Sequence, residues 1–408
     1  MSSTVYPAKP IKVLLLENVS VTAHEVFAAE GFSVEAVPKS IPAAELKTKL
    51  EGVHILGIRS KTQLTADILA AGKQLLTVGC FCIGTNQVNL VAANGQGLPV
   101  FNAPFSNTRS VAELIISEIV ALARQLGDRS REVHAGTWRK VAADCYEIRG
   151  KTLGIVGYGH IGRQLGVLAE SMGMRVVFYD HTSKLPMGNN VSMPTMGELL
   201  ERADFVSLHV PETPQTKNLI GATELALMKR GAYLLNASRG TVVVIEALAE
   251  ALKSGHLHGA AIDVYPEEPE ANVDTFRSAL QGLPNVILTP HIGGSTSEAQ
   301  AAIGREVSHA LTHFINTGST TGAVNFPLVE MPKVPGSHRI LNVHRNVPGV
   351  LRDINKIVSD LHANIQAQVL ATDSTIGYIT IDMDRDVSQQ VAAAIAALDT
   401  SIRTRILY

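Results

Sequence analysis

Short apolar runs alternate along this chain with segments whose apolar residues recur at helical spacing. The short runs predict β-strands and the longer segments predict helices, a rhythm that is typical of parallel α/β proteins. A first series of predicted strands is IKVLLLE, FSVEAV, HILGIRS, LLTVGCF and PVFNAP. A second series is TLGIVG, RVVFYD, FVSLHV, AYLLNAS, GAAIDV and NVILT, whose nearly continuous apolar runs indicate strands buried on both faces. The pattern therefore predicts two α/β lobes, each built on a parallel sheet.

Two long amphipathic segments separate these lobes. The segment from Thr108 to about Leu126 predicts a helix, with Asn107 or Thr108 as its cap. The second segment predicts a helix that is long enough to return the chain to the first lobe, so the first lobe is predicted to be discontinuous. The predicted boundaries are 1–106 with 296–326 for the first lobe, 107–295 for the second lobe, and 297–314 for the returning helix.

The last part of the chain predicts a third, smaller domain. Three prolines between residues 326 and 336 leave too few backbone donors for a regular element, which predicts a linker over 327–336. Residues 337–408 then alternate as strand, helix, strand, strand, helix, strand, with the first helix beginning near Pro348. This order predicts a ferredoxin-like βαββαβ sandwich.

Composition narrows the class of ligand. The chain has 408 residues, of which 46% are apolar and 18% charged, with a formal net charge of -2 and no basic run. Neither nucleic acid nor an anionic membrane is therefore an expected partner. The N-terminus lacks the features of a signal peptide, so a cytoplasmic protein is expected. The three cysteines show no metal-ligand spacing, and neither a disulfide framework nor a metal site is predicted.

A glycine-rich turn opens the second lobe. GYGHIG, residues 157–162, follows an apolar strand and precedes a helical segment, and Asp180 ends the next strand. This context matches the dinucleotide-binding fingerprint of Rossmann domains. Gly157 would form the turn, Gly159 would let the backbone approach a pyrophosphate, and Gly162 would pack helix on strand. Because Asp180 would bind ribose hydroxyls and repel a 2'-phosphate, the sequence favours NAD.

Three candidate catalytic residues follow the ends of strands in the second lobe. Arg239, Glu268 and His291 lie in NASRG, DVYPEEP and PHIGG. Since ligands bind at the carboxyl edge of open parallel sheets, these side chains are expected to converge. An arginine can bind a carboxylate, a histidine can exchange a hydroxyl proton, and a glutamate can orient that imidazole and raise its pKa. The set fits oxidation of a 2-hydroxy acid.

The motifs GYGHIG, NASRGTVV, AAIDVYPEEP and LTPHIGGST resemble those of the D-isomer-specific 2-hydroxyacid dehydrogenases. The resemblance implies two flavodoxin-like or Rossmann-like lobes that bind substrate and NAD. It assigns catalysis to Arg239, Glu268 and His291. It implies cofactor contacts by Gly157, Gly159, His160, Ile161, Gly162, Asp180, Ala237, Ser238, Arg239, Asp263, His291, Gly293 and Gly294.

The first lobe narrows the resemblance. IRSKTQLT, VGCFCIGTNQVNL and FNAPFSNTRSVAELI are similar to the members that oxidise 3-phospho-D-glycerate to 3-phosphooxypyruvate at the start of L-serine biosynthesis. This implies substrate contacts by Arg59, Ser60, Asn107 and Arg239. A side activity on 2-oxoglutarate is also implied. Lys39 and Lys140 are further candidate phosphate contacts, Trp138 a candidate subunit contact, and loop 181–195 is left without assigned contacts.

The predicted sandwich at the C-terminus resembles an ACT domain, a module that senses amino acids. The resemblance implies L-serine as effector, bound by His344, Asn346 and Asn364 between two subunits, and a homotetramer whose dimers form through the nucleotide lobes and join through these sandwiches. The physics is compatible, because helix N–H groups bind a carboxylate and asparagine amides both donate and accept. Two alternatives stay open: a dehydrogenase for another 2-hydroxy acid such as lactate or glycerate, and a non-catalytic NAD sensor resembling corepressors.

Overall fold

The fold is seen in a computed structural model that describes residues 4–5, 10–269 and 275–407. The described chain forms two compact units. One unit comprises residues of the ranges 1–106 and 300–408, and the other comprises residues 107–299. The finer division into two lobes, a linker and a C-terminal domain stays a prediction. The residues from 326 to 336 contain no helix or strand, as the prolines indicate. Within the described residues, no helix is long and apolar enough to cross a bilayer.

The first lobe of unit one is a parallel sheet with strand order β3-β2-β4-β5-β6. The inner strands β4 and β5 are buried along their whole length, as their apolar sequences predict. The elements in chain order are β1 Thr4–Val5, β2 Lys12–Leu16, α1 Val21–Ala29, β3 Ser33–Val37, α2 Ala43–Lys49, β4 Ile55–Ile58, α3 Ala66–Ala71, β5 Thr77–Cys80, α4 Leu90–Gly95 and β6 Val100–Phe101.

Unit two is a seven-stranded parallel sheet with order β13-β12-β11-β10-β7-β8-β9. The reversal of strand order falls between β7 and β10, and such a switch point forms a crevice for a ligand. The helices are α5 Thr108–Ala123, α6 Leu126–His134, α7 His160–Ser171, α8 Met196–Arg202, α9 Ala222–Leu227 and α10 Ile245–Lys253. The strands are β7 Thr152–Val156, β8 Arg175–Tyr179, β9 Val191–Ser192, β10 Phe205–Leu208, β11 Ala232–Asn236, β12 Leu257–Ile262 and β13 Val286–Leu288.

The predicted single helix from Thr108 to about Leu126 is wrong at its end. Helix α5 ends at Ala123, and α6 begins at Leu126 as a separate helix. The break occurs because Gln125 adopts a left-handed conformation with φ 52°, which a continuous α-helix does not contain. The apolar period runs through this break, so the pattern alone could not locate it. Asn107 is the cap of α5, but its side chain makes no capping hydrogen bond.

The C-terminal part of unit one is a second sheet with order β1-β17-β14-β16-β15. Strand β14 pairs with β16 and β17, and β15 pairs with β16, all in antiparallel fashion, whereas β1 pairs with β17 in parallel. The fold is the predicted βαββαβ sandwich with one added strand, β1, on the edge of β17. Its elements are β14 His338–Arg345, α12 Val350–Asp360, β15 Ile365–Thr372, β16 Ile376–Met383, α13 Arg385–Ala396 and β17 Ser401–Leu407, and it follows α11 Ser297–Thr317.

One boundary of this part differs from the prediction. Helix α12 begins at Val350 rather than near Pro348, because Gly349 caps it with φ 97°, a conformation that favours glycine. The proline-rich segment packs against the sandwich. Arg339 forms a buried ion pair with Asp382 and donates to the carbonyl groups of Met331 and Pro332, which fixes the segment on the sandwich.

Candidate active site

The glycine-rich turn between β7 and α7 has the geometry of a nucleotide cradle. A Cβ at Gly157 would lie 2.3 Å from the His209 carbonyl oxygen, and one at Gly162 would lie 2.4 Å from the Gly157 oxygen. Both positions therefore require glycine. A Cβ at Gly159 would meet nothing within 4 Å, so the backbone there faces open space at the start of α7. This arrangement fits the pyrophosphate of a dinucleotide.

Asp180 lies beside this turn at the end of β8. Its carboxylate accepts hydrogen bonds from the backbone N–H groups of Tyr158 and Thr182, at 2.9 and 3.0 Å. Burial would raise the pKa of Asp180, but these hydrogen bonds lower it below its ordinary value. A carboxylate with a lowered pKa at this place fits ribose hydroxyls and disfavours a 2'-phosphate. The residues present thus fit NAD.

The loop after β11 presents Arg239. Asn236, a buried residue to which the sequence pattern assigned no role, accepts from the Ser238 N–H and hydroxyl and donates to the Arg239 carbonyl at 3.0 Å. The Arg239 guanidinium is half-buried and donates to the Ser238 carbonyl. The next residue, Gly240, must be glycine, because a Cβ there would lie 1.9 Å from the Tyr265 carbonyl group. The loop therefore packs tightly on the segment that carries Glu268.

His291 and Glu268 form the central polar pair. The imidazole Nδ1 lies 2.7 Å from the Glu268 Oε2, and Glu268 Oε1 accepts from the Tyr265 N–H at 3.1 Å. The hydrogen bond to Glu268 raises the pKa of His291, against burial and the charge of Arg239. Burial would raise the pKa of Glu268, but hydrogen bonds from His291 and Tyr265 lower it. The predicted orientation of His291 by Glu268 therefore has the expected geometry.

Asp263 holds the loop that carries His291. Its carboxylate accepts from the backbone N–H groups of Ile292 and Gly293, both at 2.8 Å, and from the Thr289 hydroxyl at 2.6 Å. Its carbonyl accepts from the His291 N–H at 2.8 Å. His291 has φ 54°, a conformation that costs free energy in a non-glycine residue. We conclude that Asp263 fixes the backbone of the loop that carries His291. The sequence had predicted Asp263 only as a cofactor contact.

Two further residues of unit two lie close to this loop. A Cβ at Gly294 would lie 2.6 Å from Asn107 Nδ2, so the predicted substrate residue Asn107 packs against the loop that carries His291. Its buried Oδ1 has no hydrogen-bond partner among the described residues. Glu118 on α5 is 4% exposed. Burial, with the charge of Asp263, raises the pKa of Glu118 to about 8. The sequence prediction assigned no role to Glu118, a charged residue within an apolar helical pattern.

The remaining predicted site residues lie elsewhere. Arg59 and Ser60 belong to unit one, where Arg59 is half-buried and Ser60 exposed at the end of β4. Lys39 and Lys140 are exposed, and Trp138 is 82% exposed. Among the cofactor candidates, His160 is exposed, whereas Ile161 and Ala237 are half-buried.

The unassigned loop 181–195 is fixed to the nucleotide unit. The Tyr158 hydroxyl accepts from the Met187 N–H at 3.0 Å and donates to Asn190 Oδ1 at 2.8 Å. A short strand, β9, ends the loop on the edge of the sheet. His181 remains exposed, with its ring 3.4 Å from an Asp180 oxygen. The loop therefore lies next to Tyr158 and Asp180, in the part of the site that would hold the adenosine.

The three predicted effector residues do not meet within one chain. His344 is buried, and its ring Nδ1 lies 3.0 Å from Asn342 Oδ1. Asn346 donates to the Asp373 carbonyl at 2.6 Å, close to the end of β15, whereas Asn364 is exposed just before the start of that strand. The eight residues of β15 place its ends about 23 Å apart.

Comparison with known proteins identifies the family. Residues 116–293 match the family model of the D-isomer specific 2-hydroxyacid dehydrogenase NAD binding domain. D-3-phosphoglycerate dehydrogenase of Dictyostelium discoideum is 56% identical over 100% of this chain and 99% of its own length. The chain belongs to the D-isomer-specific 2-hydroxyacid dehydrogenase family. The Escherichia coli K12 protein named D-3-phosphoglycerate dehydrogenase is 51% identical over 98% of each chain.

Further comparisons agree with the family assignment. Residues 340–403 match the model of an AHAS small subunit-like ACT domain. A crystal structure of a protein from Thermus thermophilus covers 74% of this chain and 96% of its own, with a TM-score of 0.67 and 33% identity. The predicted fold class, the dehydrogenase activity with NAD and the ACT domain are thereby confirmed. The roles of individual site residues stay predictions.

Proposed function

We propose that this dehydrogenase interconverts 3-phospho-D-glycerate and 3-phosphooxypyruvate with NAD, at the entry to L-serine biosynthesis. The observation that carries the proposal is the 2.7 Å contact of His291 with Glu268, beside the charge of Arg239. It occurs in a chain whose relatives are named D-3-phosphoglycerate dehydrogenase. NAD, held by the turn at residues 157–162 and by Asp180, would supply the acceptor for the hydride that leaves C2 of the hydroxy acid. The chain itself supplies the groups that bind the acid and exchange its proton.

Each side chain has a distinct task in this proposal. Glu268 occupies Nδ1 of His291, which leaves Nε2 to take the substrate hydroxyl proton during oxidation and to return it during reduction. Arg239 binds the substrate carboxylate and stabilises the oxygen at C2. Because this contact is common to all 2-oxo acids, we also expect slow reduction of 2-oxoglutarate.

The phosphate end of the substrate distinguishes this reaction from that of other family members. In unit one, Arg59 and Ser60 supply a cationic and a hydroxyl donor, which suit a phosphate. Lys39 is exposed in the same unit and can add charge for such an anion. A lactate dehydrogenase has no need for this number of donors.

The test is reduction of 3-phosphooxypyruvate by NADH with purified protein. We expect turnover that is far faster than with pyruvate, hydroxypyruvate or 2-oxoglutarate. His291→Asn should abolish it while leaving NADH binding, measured by fluorescence, close to that of the native protein. Turnover of pyruvate in preference to the phosphorylated acid would support another 2-hydroxyacid dehydrogenase. Coenzyme binding without turnover of any 2-oxo acid would support a sensor.

L-serine is the proposed effector of the ACT domain, and we place it between two subunits. One subunit would supply His344 and Asn346, and the other Asn364, since these residues lie at opposite ends of β15 in one chain. In the described part of the sheet, β17 is covered by β1, which leaves β15 as the edge for a second copy. An antiparallel pair through β15 brings the two ends together.

A homotetramer follows from a second proposed contact in unit two. Several apolar side chains between residues 126 and 146 are exposed, which is typical of a subunit interface: Leu126, Val133, Trp138, Val141 and Tyr146. Dimers formed there and joined through β15 contain four subunits. Light scattering of the native protein should give four times the chain mass of 43.5 kDa.

A further inference from the structure

Glu17 is a buried acidic residue at the carboxyl end of β2 that has no role in the chemistry described above. Its side chain is 7% exposed. Oε2 accepts from the Lys61 N–H at 2.9 Å, and Oε1 accepts from the Thr62 N–H at 2.8 Å. Its own N–H donates to the Lys39 carbonyl at 3.4 Å. One residue thus bonds to the segments that follow β3 and β4.

The backbone at Glu17 is also unusual. Glu17 and the next residue, Asn18, both have positive φ, 65° and 54°. Non-glycine residues rarely adopt this conformation, and two in succession persist only where surrounding contacts hold them. The turn lies directly before Ser20, which caps α1. Hydrogen bonds from the next loop to Glu17 are contacts of the kind that can hold this turn.

The segment bound by Glu17 is the Arg59 loop, residues 59–62. Arg59 is half-buried, Ser60 and Lys61 are exposed, and Thr62 is buried. The other side of the loop is fixed by Gln87, which is 4% exposed and donates to the Arg59 carbonyl at 2.7 Å. The loop backbone is therefore held at both of its ends by buried side chains.

We infer that Glu17 is a positioning residue for the phosphorylated substrate: it holds the Arg59 loop in the conformation in which Arg59 and Ser60 bind that substrate. The inference rests on the proposed function. It assigns Glu17 no contact with substrate. Its two hydrogen bonds turn the N–H groups of Lys61 and Thr62 inward, so that these amides are not available to solvent or ligand.

The physical reason is preorganisation. A loop that must be ordered on binding costs affinity through the conformational entropy of its backbone and of its long cationic side chains. A buried carboxylate that accepts two backbone N–H groups removes this cost before the substrate arrives. It does so without any cationic side chain, so Arg59 and Lys61 remain free to attract the anion.

The experiment compares Glu17→Ala and Glu17→Gln with the native enzyme in the reduction of 3-phosphooxypyruvate. Alanine removes both acceptors, whereas glutamine keeps one oxygen and turns a donor toward the other N–H. We expect the KM for 3-phosphooxypyruvate to rise about tenfold in Glu17→Ala and less in Glu17→Gln. The KM for NADH should stay unchanged, because the predicted NAD contacts lie in unit two. Glu30→Gln is the matched control, since Glu30 is exposed in the same unit and its side chain accepts a hydrogen bond from Asn316, away from the Arg59 loop.

A second measurement tests the loop directly. Hydrogen exchange of a peptide containing Lys61 and Thr62, in protein without substrate, should be faster in both Glu17 variants and unchanged in Glu30→Gln. An unchanged KM for 3-phosphooxypyruvate in Glu17→Ala, or a KM for NADH that rises by the same factor, would overturn the inference. A native protein that fails to reduce 3-phosphooxypyruvate would instead overturn the proposed function, while the exchange data would still report on the loop.

Discussion

His291 and Glu268 lie in different loops, yet His291 Nδ1 is 2.7 Å from Glu268 Oε2. Glu268 follows β12 and His291 follows β13, and these parallel strands are neighbours in the sheet. Their carboxyl ends therefore meet at one edge, which brings the two loops together. The same contact raises the pKa of His291 and lowers that of Glu268, so the pair favours the imidazolium–carboxylate state.

The first prediction concerns the pH dependence of catalysis. In the proposed mechanism, reduction of a 2-oxo acid needs protonated His291, so the rate should fall as the pH rises through the pKa of that residue. Glu268→Gln removes the charge that raises this pKa. We expect the basic limb of kcat/KM for reduction to move to lower pH, with the limb for oxidation moving in the same direction. The measurement is a pH profile in both directions.

The matched control for this change is Glu267→Gln. Glu267 is the exposed neighbour of Glu268 and was the weaker candidate by its position in the motif. Its profile should coincide with that of the native enzyme. If Glu267→Gln shifted the limb and Glu268→Gln did not, the assignment of the orienting carboxylate would be wrong.

The second prediction concerns stability and Glu118. Because burial raises the pKa of Glu118 to about 8, the folded protein holds a proton there that the unfolded chain releases above its ordinary value of 4.5. This contribution to the free energy of unfolding is therefore present at low pH and is lost as the pH rises from 4.5 toward 8. Glu118→Gln cannot titrate, so relative to it the native protein should lose about 1.4 kcal/mol per pH unit in this window.

Urea unfolding of the native protein and Glu118→Gln at pH 5, 6, 7 and 8 measures this difference. Groups that titrate equally in both proteins cancel in the comparison. Glu113→Gln is the control on the same helix, because Glu113 is exposed and pairs with Arg109. A difference between Glu118→Gln and native protein that is constant with pH would contradict the raised pKa.

The residues that the sequence could locate are those with a local signature. GYGHIG and Asp180 are recognisable because strand, turn and helix lie within one short segment. Arg239, Glu268 and His291 could be predicted because each ends a strand of a parallel sheet. Glu17 and Glu118 could not, since each acts through a partner that only the fold brings near.

Helix ends were predicted less well for a related reason. The left-handed Gln125 divides α5 from α6 although glutamine is an ordinary helix residue. The start of α12 at Val350 depends on the φ of Gly349, which the neighbouring Pro348 obscured in the sequence. Backbone conformation at a single residue decided both boundaries, whereas the apolar period reports only the average over several turns.

The third prediction concerns the effector site and Gly377. A Cβ at Gly377 would lie 2.2 Å from His344 Nε2, and His344 cannot move freely because its Nδ1 bonds to the buried Asn342. Gly377→Ala should therefore displace His344 and abolish the proposed inhibition by L-serine, with a basal rate within about twofold of native. Gly95→Ala is the control, because a Cβ there meets nothing within 4 Å. Unaltered inhibition in a folded Gly377→Ala protein would remove His344 from the site.

The last prediction concerns the β15 edge. In an antiparallel pair of two β15 strands related by twofold symmetry, residues near the strand centre face their own copies, and Gln368 lies at this centre. Gln368→Lys places like charges opposite each other, which blocks such edges in natural proteins. We expect light scattering to show dimers in place of tetramers and the response to L-serine to be lost with the interface. Gln389→Lys adds the same charge to an exposed position of α13 and should remain tetrameric. Tetramers that persist in Gln368→Lys would place the contact between dimers on another surface. Pairing of two β15 strands could then no longer explain how Asn346 and Asn364, which lie at opposite ends of β15 in one chain, form one effector site.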